Sequence, residues 1–64
     1  MLNSDILDRL KAFEYGELNS HEIVALFQDL VNSGLAWELQ GDYGRVAMEL
    51  IDQGMVTIPK EMLQ

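Results

Sequence analysis

Two carboxylate pairs, a single histidine and a glycine-flanked aromatic stretch are the residues whose chemistry needs testing first. Asp5 with Asp8, and Glu49 with Asp52, stand three residues apart, the spacing that could set up acid–base work. On helical wheels both pairs face away from the apolar stripes, so they read as solvated surface. His21 is the only histidine. It falls in the first turn of an expected helix, where the helix dipole disfavours an imidazolium. A metal needs several converging ligands, and Glu17, Glu22 and Asp29 do not join His21 at ligand spacing. Gly41-Asp42-Tyr43-Gly44-Arg45 has two glycines but lacks the lysine and the preceding strand of a phosphate loop. No nucleophile has a base beside it. Enzyme activity, metals and cofactors are therefore not expected.

What remains is a candidate recognition patch: Trp37, Gln40, Tyr43, Gly44 and Arg45. Aromatic residues and Arg are the types that carry interface hot spots. Gly44 in a first helical turn costs about 0.5–1 kcal/mol relative to Ala, and Arg45 near a helix N-terminus opposes the dipole. Two locally unfavourable choices point to a non-local reason. One reading is a close helix crossing over Gly44, with Tyr43 packed on Trp37 and Arg45 paired with Glu38, Glu49 or an acid of the second helix. The other is a binding patch.

The elements that position this stretch are helical. Asn3 or Ser4 caps a first helix, about 4–15, whose Ile6, Leu7, Leu10 and Phe13 make one apolar stripe. Asp5 and Arg9 form an i, i+4 pair, and Gly16 ends the helix. Asn19 and Glu22 form a variant capping box, with Leu18 and Ile23 as its hydrophobic staple. A second helix, about 20–33, carries Ile23, Leu26, Phe27, Leu30 and Val31. Gly34 follows it, and Leu35 can touch Leu30 as the Schellman motif prefers. Residues 35–40 read as a short helical turn. Asp42 caps a third helix, about 43–53, with Val46, Ala47, Leu50 and Ile51 inward. Gly54 closes it and Met55 can fold onto Leu50. In the tail, 55–64, Met55 to Ile58 either covers the core or adds an edge strand to a partner, and Lys60 to Gln64 suits a last turn after Pro59. The expected fold is all-α: one small three-helix domain with a short helical turn between helices two and three.

Composition bounds the function. A chain of 64 residues buries only about 60% of its unfolded surface. Apolar residues make up 48% of it, more than so small a body readily encloses, so some face a partner. Eleven carboxylates against four Lys and Arg give a net charge of −7, which repels phosphate backbones. There is no Cys, hence no disulfide or thiolate chemistry. No stretch approaches the ~18–20 apolar residues that span a bilayer, and the N-terminus lacks the pattern of a signal peptide. A cytosolic protein is expected.

The run from Phe27 through Gly54, F-Q-x-L-V-x-S-G-L-A-W-x-L-Q-G-x-Y-G-R-x-A-x-x-L-I-x-x-G, resembles a small family of tailed-phage proteins of about this size. Leu39-Gln40-Gly41, Tyr43-Gly44-Arg45 and Ala47 are its most specific part. The resemblance implies a phage or prophage origin and action in a bacterial host cytoplasm. It supplies no catalytic residues. The first expectation for function is protein–protein binding, as a homodimer or as a modulator of a bacterial host protein. An acidic nucleic-acid mimic is the alternative, since a surface rich in carboxylates attracts basic partners. A helix-turn-helix DNA binder comes third, because only Arg45 supplies a cation in the third helix. No nucleic acid, membrane or small-molecule substrate is expected as a direct partner.

Overall fold

The computed structural model describes residues 4–60. Three helices, α1 (Ser4–Glu14), α2 (Ser20–Ser33) and α3 (Tyr43–Asp52), form an all-α fold, with a 3₁₀ turn at Leu35–Trp37 between α2 and α3. α1 and α3 each stop one residue short of the expected end. The expected Asn3 cap and the final turn beyond Lys60 lie outside the described residues.

α2 is the central element. Its start is fixed by the capping box: Glu22 N–H donates to Asn19 Oδ1 at 2.8 Å and Asn19 N–H to Glu22 Oε1 at 3.0 Å. Leu18 and Ile23, on either side of the cap, both pack against the core. Leu26, Phe27, Leu30 and Val31 are wholly enclosed. Leu10, Ala36, Ala47 and Val56 complete the buried cluster, so every element and the tail contribute to it.

The end of α2 departs from the expected Schellman closure. Gly34 adopts φ 82°, a left-handed conformation that side chains resist, and its N–H donates to Val31 O at 3.1 Å. Leu35 N–H does not return to Leu30 O. The Ser33 hydroxyl stands between them, donating to Leu30 O at 3.2 Å and accepting from Leu35 N–H at 3.4 Å. The chain thereby enters the 3₁₀ turn at once, with Trp37 N–H on Gly34 O and Glu38 N–H on Leu35 O. At the ends of α1 and α3 nothing follows so closely, and the six-residue closures form directly, Glu17 N to Ala12 O and Met55 N to Leu50 O, both 2.9 Å.

Three further expectations are corrected. Leu7 is 43% exposed rather than part of the inward stripe; the backbone of α1 lies close to α2 alone, which covers only a narrow arc of the helix. Asp42 occupies the N-cap position of α3 without a side-chain cap bond, because its backbone (φ −95°, ψ 14°) is not extended. Met55 keeps its backbone bond to Leu50 but its side chain is exposed, and Val56 takes the core position instead.

The described part of the tail, 55–60, packs on the core through Val56 and Ile58. Gln28, half-buried on α2, grips Thr57: its Nε2 donates to Thr57 O at 2.8 Å and its Oε1 accepts from Thr57 N–H at 3.0 Å. This pair satisfies both backbone groups of Thr57 as a neighbouring strand would, next to Val56 in the buried cluster. Gln28→Ala is expected to cost about 0.5–1.5 kcal/mol, the net contribution of a hydrogen bond whose exposed partners water can satisfy. Urea unfolding measures that loss, and hydrogen exchange should show Thr57 losing protection before the amides of α2.

Candidate functional site

Each helix contributes one ring to an aromatic trio. Phe13 of α1 meets Phe27 of α2 edge to face, with centroids 5.2 Å apart and planes at 75°. Tyr43, the first residue of α3, lies 5.8 Å from Phe13 and 6.1 Å from Phe27. Its hydroxyl donates to Glu14 Oε2 at 2.6 Å. Burial, the hydrogen bond and the Glu14 charge, in that order of size, push the Tyr43 phenol up from 10 to about 12. Tyr43 therefore does not pack on Trp37 as one reading of the sequence expected. The ring nearest to it in space comes from α1, which sequence spacing could not reveal.

A shallow open cleft of about 410 Å³ lies beside this trio. Phe13, Tyr43 and Val46 give it apolar walls, and Glu14, Gln40 and Asp42 line it with Gly41. Gln40 and Tyr43 of the expected patch thus share a cleft with two α1 residues that the sequence did not single out.

Trp37 does not line that cleft. It ends the 3₁₀ turn and is 46% exposed. Its Cε3 edge stands over Gly44: a Cβ built there would lie 3.8 Å from it and 3.5 Å from Ala36 O. Both are ordinary contacts, so the turn crosses α3 closely but leaves room for a methyl group. The steric reason expected for Gly44 is absent.

Arg45, the next residue, is exposed. Among the described residues it forms no ion pair, and the expected partners Glu38, Glu49 and the acids of α2 do not reach it. Arg9 does: it holds Asp29 of α2 at 2.6 Å, closer than the expected Asp5 at 3.7 Å.

Met48, which the sequence reading omitted, is 53% exposed. It lies one turn after Gly44 on the same side of α3. An apolar residue off the inward stripe was the available signal. Helical spacing thus puts Gly44, Arg45 and Met48 along one margin of α3, with Trp37 over Gly44, while Tyr43, Gln40 and Val46 line the cleft; residues two apart on a helix do not share a side.

Among the described residues His21 and the carboxylates are exposed, and no three His, Asp or Glu side chains come together to hold a metal. No described helix is long and apolar enough to cross a membrane.

These features define an all-α, three-helix protein with no buried polar or charged residue among the described ones. The chain belongs to the family described as a domain of unknown function (DUF7417), whose sequence model matches residues 3–64. No curated protein and no solved structure matches it.

Two outcomes follow from this geometry. In a Tyr15→Phe background, the phenolate absorbance of Tyr43 should rise near pH 12. Glu14→Gln should bring it only part of the way back toward 10, because burial is the largest cause. Since the folded state raises this pKa, its contribution to stability is complete below pH 10 and is lost as pH climbs toward 12. Gly44→Ala, with ordinary contacts and a helical backbone, should be neutral or stabilising by up to about 1 kcal/mol in thermal unfolding.

Proposed function

We propose that this is a small acidic accessory protein that works by binding another protein, not by catalysis. Its binding surface is the α3 margin formed by Trp37, Arg45 and Met48. The observation that carries this reading is the half-exposed indole of Trp37 over Gly44, followed in sequence by an exposed Arg45 that forms no ion pair among the described residues. An indole is a large apolar surface to leave in water, and Trp and Arg are the residues that most often dominate interface energetics. Met48 adds an adaptable thioether to the same margin. The resemblance of Phe27 through Gly54 to tailed-phage proteins supports a phage setting and a bacterial cytoplasm, with a host protein or a second copy of the chain as the partner.

A pull-down from bacterial lysate tests this. Wild-type protein should capture a specific partner, its own chain included. Trp37→Ala and Arg45→Ala should each lose that partner while circular dichroism shows unchanged helicity. Equal capture by wild type and both variants, or no specific capture at all, contradicts the proposal.

A further inference from the structure

The cleft beside the aromatic trio lies apart from the Trp37 margin, and its lining has a definite chemical bias. Two aromatic rings, Phe13 and Tyr43, and the Val46 side chain form its walls. Two carboxylates, Glu14 and Asp42, line it as well. Neither forms an ion pair among the described residues. Glu14 accepts one hydrogen bond from Tyr43 and has acceptor sites left over. Asp42 spends nothing on capping α3. Gln40 adds an amide that can accept as well as donate.

The start of α3 also borders the cleft, and a helix N-terminus favours anions. Magnitudes decide between the two. The helix end is equivalent to about half a positive charge, whereas Glu14 and Asp42 bring two full negative ones. The cleft is therefore net negative, within a chain of net charge −7. A cation with a flat or slender apolar stem fits it: the stem lies along Val46 and the rings, and the charge meets the carboxylates.

We propose that this cleft receives a cationic side chain, a guanidinium or an ammonium, from a basic segment of a partner protein. Charge complementarity and aromatic walls argue for that occupant over an apolar helix, which would desolvate both carboxylates without compensation. The site does not depend on the Trp37 margin, and the two are tested with different variants and different probes.

The test is an NMR titration of the intact chain at about 0.15 M salt, where long-range attraction is screened beyond roughly 8 Å. The probes are a short Arg- and Lys-bearing peptide amide and the same peptide with Gln in place of each basic residue. The basic peptide should give saturable shifts centred on Gly41, Asp42, Tyr43 and Val46, and the Gln peptide none. Asp42→Asn should weaken binding about three- to fivefold, the effect of losing one partly exposed charge contact. Asp42 is exposed and makes no side-chain cap bond to α3, so the fold is kept. Asp52→Asn, the same charge change at the far end of α3, should leave the affinity unchanged. Shifts spread over all acidic residues, equal weakening by both variants, or equal binding of the Gln peptide would each overturn the proposal.

Discussion

Everything in this fold depends on how the Phe27 ring is covered. It sits at the middle of α2 with no exposed surface, and its lid is made of one ring from each of the other helices. The backbone of α1 approaches α2 but not α3. Contact between α1 and α3 is made by side chains: Phe13 against Tyr43, and the Tyr43 hydroxyl on Glu14. The trio is thus the joint of a three-helix body. Losing a buried Phe ring costs about 3–5 kcal/mol, and a chain of this length has only about 3–10 kcal/mol in total. Few alternatives to this packing are open to it.

The choice of Tyr43 for that lid determines what is left outside. Tyr is suited to the position because its ring is apolar and its hydroxyl can reach the Glu14 carboxylate at the surface. With Tyr43 committed inward, Trp37 has no internal ring to pack on. The immediate passage from α2 into the 3₁₀ turn, made possible by left-handed Gly34 and the Ser33 hydroxyl, then lays Trp37 across Gly44 at the surface. Ala36, the smallest residue of the turn, is the one that goes inside. The turn therefore acts as a spacer that buries its short side chain and displays its long one.

Local grammar in the sequence was sufficient for the helices. The Asn19–Glu22 box, the periodic stripe of α2 and the terminal glycines each act within a few residues, and each stands where that grammar puts it. What the sequence left open were contacts between residues far apart in the chain. Arg9 prefers Asp29 to its helical neighbour Asp5, and Gln28 holds Thr57. Tyr43 turns to Phe13 and Phe27, and nothing in i, i+4 spacing could rank those partners. Trp37, Gln40, Tyr43, Gly44 and Arg45 form one patch by residue type and nearness in sequence. Helical geometry divides them between two sides of α3, and it adds Met48 to one side and Phe13 and Glu14 to the other.

The central claim is that the folded chain closes its core with Tyr43 and leaves its only tryptophan in water. Acrylamide quenching of Trp37 fluorescence, in dilute native protein and in urea, measures this directly. The account predicts red-shifted native emission, with quenching at least half as efficient as in the unfolded chain. Blue-shifted emission that stays protected from acrylamide until the protein unfolds would contradict it.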